Sequence, residues 1–202
     1  SQKSFIDLYK MGRVYKDNFP TIYCVECRTP VAQAELEDKT QETLFSTLRF
    51  KCGGKDLPIA TTRPELLGAC VAVFVNPQDK RYNKLIGKKA RVPLFEHEVP
   101  ILGDESANME KGTGVLMVCS YGDKYDVDAI KRFKLTPKIV FNKNGTLNIE
   151  PYVGMKIKEA RRKILEDLKN KDLIIEQKKI EHSVNVHDKC GTEIEFLQTE
   201  QW

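Results

Sequence analysis

Two ligand-type pairs near opposite ends of the chain, Cys24-x-x-Cys27 and His187-x-x-Cys190, constrain this sequence more than any other feature. Each pair can place two soft ligands on one side of a tetrahedral ion, and together they would make a closed structural zinc site. A metal clip across so long a loop would tie the two chain ends into one stem. The same residues admit another reading, with Cys24 and Cys27 as buried thiols and His187 on the surface. Cys52, Cys70 and Cys119 are dispersed, and Cys70 reads as a small core hydrophobe. Six cysteines behind an N-terminus, SQKSFIDLYK, that lacks a basic-then-apolar leader suggest reduced thiols and a cytoplasmic setting.

The 202 residues are enough for one large domain or a domain with a small appendage. The sequence has no run of about 18 apolar residues, so no membrane partner is expected. A net charge of +4, spread through mixed-sign stretches, permits a nucleic-acid partner without demanding one.

Apolar spacing at Phe5, Leu8, Val14 and Tyr15 predicts an amphipathic helix over residues 4–18, closed by Phe19-Pro20. Strand-like runs follow at 44–50, 57–62, 70–75, 90–94, 99–102, 115–119 and 138–141, with Asn144-Gly145 as a hairpin turn. Helices are expected at about 123–133 and at 157–168, where Ala160, Ile164, Leu165 and Leu168 share a face. Residues 174–186 read as a final strand leading to His187. Many short strands at close intervals favour an α+β fold, a barrel-like β core flanked by a few helices. The expected division is 1–45 with 172–202 as a zinc-knuckle-like stem, and 46–171 as the β-barrel-like body.

Thr61-Thr62-Arg63-Pro64-Glu65 leaves a strand and turns sharply, bringing hydroxyls, backbone N–H groups and a guanidinium to one place. That is a polar rim for an anionic or hydroxyl-rich ligand; the alternative is a loop with an exposed ion pair. Gly112-Thr113-Gly114 could let backbone approach a ribose or adenine closely. Asp123 is an N-cap candidate for the next helix, and Asp126 falls in its first turn, partly on the same face.

In this order, TTRPE with Leu66-Leu67, the run VAVFVNPQDKRYNKLIGKKARVPLFEHEVPIL, GTGV, the Asp-x-x-Asp and the closing CGTEIEFLQTEQW cover nearly the whole chain. They resemble the editing domain inserted in the class I aminoacyl-tRNA synthetases for valine, isoleucine and leucine. Arg63-Pro64-Glu65, where isoleucine enzymes usually carry a Thr-rich stretch with Trp, selects the valine type, archaeal members especially. The resemblance implies a hydrolase that cleaves the ester of threonyl-tRNA(Val), receiving the tRNA 3' end. Asp126 would hold the substrate α-ammonium, and Asp123 would contact the threonine hydroxyl or an attacking water. Thr61, Thr62, Arg63, Pro64, Glu65 and Leu66 would line the amino-acid and ribose region. Lys111, Gly112, Thr113 and Gly114 would approach the terminal adenosine, with Met117 and Cys119 also at the substrate. Relative to the bacterial pattern the chain has Leu66 for threonine, Lys111 for an aromatic, Met117 for lysine, Cys119 for threonine and Gly122 for histidine. Recognition of the hydroxyl would then fall on Asp123 and backbone groups.

HIGH-like and KMSKS-like signatures are missing, so the resemblance implies an insertion separated from the synthetic core. ATP and Mg2+ would belong to that core alone, and the remainder of the synthetase would be a partner of a monomeric domain. The competing function is a non-catalytic zinc-bearing module that binds tRNA or another partner, or the editing domain of an isoleucine or leucine enzyme.

Overall fold

The computed structural model describes residues 1–202, and its organising element is the strand β3 (Leu36–Cys52). Along its second half Ser46, Leu48, Phe50 and Cys52 point inward, as the period of two in the sequence requires. On one side β3 pairs antiparallel with β4 (Lys55–Thr61) across a two-residue Gly53-Gly54 turn. Both glycines have positive φ, 56° and 81°, the conformation that a two-residue hairpin turn demands. On its other side β3 pairs with β9 (Ile174–His187), from Leu36 opposite His187 to Leu48 opposite Ile174. This ribbon is continuous through residues 45 and 46.

Along the chain between β4 and β9 come β5 (Cys70–Val75), β6 (Lys89–Arg91), β7 (Glu98–Gly103) and β8 (Val115–Cys119), giving the sheet order β4-β3-β6-β7-β5-β8. The sheet curls until its two ends approach. A Cβ on Gly112, just ahead of β8, would lie 3.4 Å from the Ala60 Cβ of β4. The result is a half-barrel around Leu48, Phe50, Ile59, Val73, Val75 and Ile101. It is capped by the helix Ile157–Asn170, which buries Ile157, Ala160, Ile164 and Leu168. The shorter helix Lys124–Phe133 covers the outer face, where Ala72, Phe74, Val118 and Ala129 form a second cluster. Apolar packing on both faces explains why β5 reads CVAVFV without alternation. A separate three-stranded sheet, β10-β1-β2, joins β1 (Asp17–Cys24), β2 (Thr29–Pro30) and β10 (Glu195–Gln201).

Two sequence expectations need correction. The first helix, α1, runs only over Gln2–Lys10 and stops at Met11-Gly12, with Gly12 at φ 66°. Phe19-Pro20, expected to close that helix, lies inside β1 opposite Thr199 and Gln198. Proline is tolerated there because β2 pairs β1 only at Tyr23 and Cys24, so no ladder bond is lost on the free side. Residues 138–141 form no strand. Their only ladder contact is the bridge between Phe141 and Leu147 around the Asn144-Gly145 turn. No helix is long and apolar enough to cross a membrane.

The core contact of the Ile157–Asn170 helix is testable. Ile164 is fully buried, so Ile164→Ala is expected to lose about 2–5 kcal/mol of stability. Urea denaturation should show a lower midpoint with an unchanged slope; an unchanged midpoint would contradict this packing.

Candidate functional site

The TTRPE segment turns where β4 ends. The Thr61 hydroxyl accepts a hydrogen bond from the Arg63 N–H at 3.0 Å. Pro64, favouring an extended residue before it and a helical start after it, opens a short 3-10 turn over Pro64–Ala69. That turn is wholly buried and carries Glu65 into the interior at 0% exposure. There the Glu65 carboxylate accepts from Arg63 Nε at 2.9 Å and from Arg161 Nε and Nη2, both at 2.9 Å. Arg63 Nη2 lies 2.8 and 2.6 Å from the two oxygens of Glu195, which is also buried. Arg63 Nη1 donates to the Gly122 carbonyl at 3.1 Å. The Arg63–Glu65 pair therefore exists, but as part of a four-residue network whose carboxylates are buried and whose arginines are partly exposed, not the exposed ion pair the sequence allowed.

Burial alone would push both carboxylates up. Arg63 and Arg161 together outweigh it at Glu65 and hold that group below the ordinary carboxylate value. Glu195 has one close arginine and feels Glu65 as a like charge, so burial wins and raises it.

After β8 the chain folds back over this turn. Ser120 donates from both N and Oγ to the Ala69 carbonyl, at 2.9 and 3.2 Å. Tyr121 takes φ 60°, an uncommon left-handed conformation for an aromatic residue, and reverses the chain. Asp123 then caps the helix Lys124–Phe133, accepting from the Asp126 N–H at 2.9 Å, while Asp126 Oδ1 accepts from the Cys119 N–H at 3.2 Å. A Cβ on Gly122 would stand 2.5 Å from Asp126 Oδ2 and 2.9 Å from Leu66 Cδ1, so glycine there and the position of Asp126 go together. Burial first, and the neighbouring Asp123 second, push the Asp126 carboxyl well above its usual range.

The structure thus gathers Arg63, Leu66, Cys119, Gly122 and Asp126 at one place. Asp123 is an exposed cap beside them, while Pro64 and Glu65 face the interior. Cys119 and Met117 point into the half-barrel. Lys111 is exposed, and the Gly112-Thr113-Gly114 turn lies against Ala60, one residue before Thr61. A groove of about 410 Å³ opens beside Asp126, with Leu116, Val118, Tyr125 and Lys131 among its walls. Sequence reasoning missed Glu195 and Arg161. A lone Glu in a strand and a lone Arg on a helix give no spacing signal; only Glu65, drawn inside by its turn, needs such partners.

Near the junction of the two sheets, β1 delivers Cys24 and β9 delivers His187, each followed by a tight turn carrying the second ligand of its pair. Cys24 Sγ lies 3.5 Å from Cys190 Sγ, and His187 Nδ1 lies 3.5 Å from both Cys27 Sγ and Cys190 Sγ. Tetrahedral zinc with bonds of about 2.3 Å to sulfur and 2.0–2.1 Å to nitrogen requires ligand separations of roughly 3.5–3.8 Å. All four ligand atoms fall within 4.8 Å of one another, so three thiols and one imidazole fit such an ion. The Cys27 N–H donates to Cys24 Sγ at 3.4 Å, the kind of backbone contact that steadies a thiolate. His187 Nε2 faces Asp188 at 3.6 Å, which suits Nδ1 as the ligand atom. Hydrogen bonds from Thr192 draw the Cys190 thiol down to about 6, while those with Cys190 and Cys24 push Cys27 up to about 12. A cation would relieve this competition among thiolates.

No family model matches the chain. Valine–tRNA ligases match it along its whole length. That of Thermoplasma acidophilum is 46% identical over 204 residues, covering all of this chain and 26% of that protein. Those of Thermoplasma volcanium and Pyrococcus horikoshii are each 45% identical over all of this chain, covering 26% and 23% of their own lengths. The chain therefore spans about a quarter of the length of the curated relatives it matches. Among solved structures, the agnB2 LeuRS of Agrobacterium radiobacter K84, in a ternary complex with tRNA and LeuAMS, shares the fold. It aligns with a TM-score of 0.51 and 17% identity over 90% of this chain and 32% of that one.

Elemental analysis tests the metal centre. Protein purified without chelator is expected to carry close to one zinc per chain, and stripping it with a chelator should lower the melting temperature. Metal-free protein of undiminished stability would rule out a structural zinc.

Proposed function

The chain is homologous, from end to end, to one segment of the valine–tRNA ligases, and on that footing we propose that it is their editing domain, hydrolysing threonyl-tRNA(Val). The observation that carries this reading is Asp126, a partly buried carboxylate set beside Gly122 and Leu66 and pushed well above its usual range by burial and by Asp123, only partly offset by Arg63, which is engaged by Glu65, Glu195 and the Gly122 carbonyl. A substrate α-ammonium supplies the missing positive charge. Its binding brings Asp126 to the ionised form and anchors the amino-acid end of the ester.

Hydrolysis then needs a positioned water, which adds to the ester carbonyl, and the leaving terminal ribose oxygen takes up a proton as the C–O bond breaks. Asp123, exposed at the helix start, contacts the threonine hydroxyl or that water. Thr61, Thr62, the one remaining Arg63 N–H and the backbone as far as Leu66 line the amino-acid and ribose region. Lys111 to Gly114 approach the terminal adenosine, and Met117 and Cys119 form the apolar floor. The need for such a site is physical: an apolar synthetic pocket separates threonine from isosteric valine poorly, and the valyl enzyme is itself the standard illustration at about 10²-fold. A pocket that hydrogen-bonds the extra hydroxyl reverses the preference, because valine leaves its buried polar groups unpaired.

In this reading residues 1–45 and 172–202 form a stem whose zinc is structural, and 46–171 carry the pocket. The partners are the 3' end of tRNA(Val) and the remainder of a longer ligase. ATP and Mg2+ act only in that remainder, and the setting is the cytoplasm.

Asp126→Asn tests the proposal, since an amide oxygen still accepts from Cys119 N–H but carries no charge. The variant is expected to stay folded and to release threonine from threonyl-tRNA(Val) at least about a hundredfold more slowly. The pH dependence has a definite sign. Ammonium binding needs ionised Asp126, whose pKa is raised, so wild-type hydrolysis falls on acidification at a higher pH than an ordinary carboxylate would give. Stability has the opposite sign. A raised carboxyl disfavours the folded state once pH exceeds its unfolded pKa, so Asp126→Asn should be no less stable than wild type at neutral pH. Undiminished hydrolysis by the variant would refute the assignment.

A further inference from the structure

Glu195 opens β10 and is held on two sides by the metal-ligand turns. Its register partner across the strand pair is Tyr23, the residue before Cys24. Upstream, the Thr192 carbonyl accepts from the His187 N–H at 2.9 Å, and Glu193 bridges Val186. The Glu195 backbone is therefore fixed by the same turns that bring the four ligands together. Its side chain reaches away from them, placing both oxygens on Arg63 Nη2. On the far side of that guanidinium, Nη1 holds the Gly122 carbonyl, and Gly122 packs directly against Asp126 and Leu66.

Stability gives little reason for this pair, because well-packed apolar groups often replace a buried ion pair without loss. A guanidinium fork held at separate nitrogens does supply direction. Glu65 takes Nε from within the 3-10 turn, Glu195 takes Nη2 from the stem, and the remaining edge is left aimed at Gly122.

We propose that Glu195 is a positioning residue for the Asp126 pocket: the Cys/His turns fix Glu195, Glu195 fixes Arg63, and Arg63, by holding the Gly122 carbonyl, fixes the glycine whose Cα side packs against the Asp126 carboxylate. The kinetic consequence rests on the deacylase reading, whereas the geometric linkage does not. Metal loss would then reach the pocket by this route without any ligand touching substrate.

The test is Glu195→Gln, which keeps the shape but loses the charge, read first by amide NMR signals. The expected result is an unchanged circular dichroism spectrum and metal content, with displaced signals at Gly122, Asp123 and Asp126. Hydrolysis of threonyl-tRNA(Val) at saturating substrate should fall about tenfold to a hundredfold, with KM within about threefold. Combining Glu195→Gln with Asp126→Asn should give no further loss, since both act at one carboxylate. Signals at Gly122 to Asp126 that stay in place, or losses that multiply in the double variant, would overturn the proposal. Should wild type hydrolyse nothing, the deacylase reading fails and the NMR shifts still decide the linkage. If Glu195→Gln does not fold, Arg63→Lys, which keeps the charge without the fork, replaces it: displaced signals at Gly122 to Asp126 support the linkage, and unmoved signals overturn it.

Discussion

The buried charge network of Arg63, Glu65, Arg161 and Glu195 is the interaction on which the rest of the molecule depends. Its members come from the turn after β4, the capping helix and the first residue of β10, so it ties half-barrel, cap and stem at one point. Two arginines and two glutamates balance in formal charge, and each carboxylate has a guanidinium within 2.9 Å. Buried charges persist only under such pairing, because desolvating an isolated one costs far more than local packing returns. Arg63 is the shared member, held by both Glu65 and Glu195, so its loss would strand Glu195 without a partner.

The half-barrel needs such a tie. An open, curled sheet whose end strands β4 and β8 approach without pairing has no ladder to hold its mouth in shape, and the candidate pocket lies at that mouth. The Cys24, Cys27, His187 and Cys190 cluster sits where β1 and β9 end, and Glu195, the first residue of β10 and the register partner of Tyr23, reaches Arg63. One long-range meeting gathers metal-ligand side chains, and the other pairs charges. Between them they fix residues that local sequence leaves free.

Much of this was legible in the sequence, for reasons that particular residues make plain. β5 and β8 fall where their apolar runs end in turn chemistry, and Asp123 caps its helix as a carboxylate before a helical run should. The two Cys/His pairs, legible from their spacing, do meet, with all four ligand atoms within 4.8 Å of one another. Residues 138–141 carry strand-like composition but find no neighbour to pair with, since pairing is settled by tertiary placement and not by propensity. Phe19-Pro20 reads as a helix stop and lies in a strand, because one side of β1 is unpaired there. Within the site, the TTRPE motif marked Arg63 as a polar group at a turn but not that four hydrogen bonds to Glu65, Gly122 and Glu195 would occupy it. Glu195 and Arg161 gave no local signal. Their part arises only when segments far apart in sequence converge.

The central claim is that this pocket prefers an amino acid bearing a hydroxyl over its isostere. The most direct measurement compares single-turnover release of threonine and valine from the same tRNA(Val), at equal protein and substrate. Threonine is expected to be released faster by at least about tenfold, the difference that unpaired polar groups impose on valine. Equal rates of release, or equal failure to release either, would contradict it.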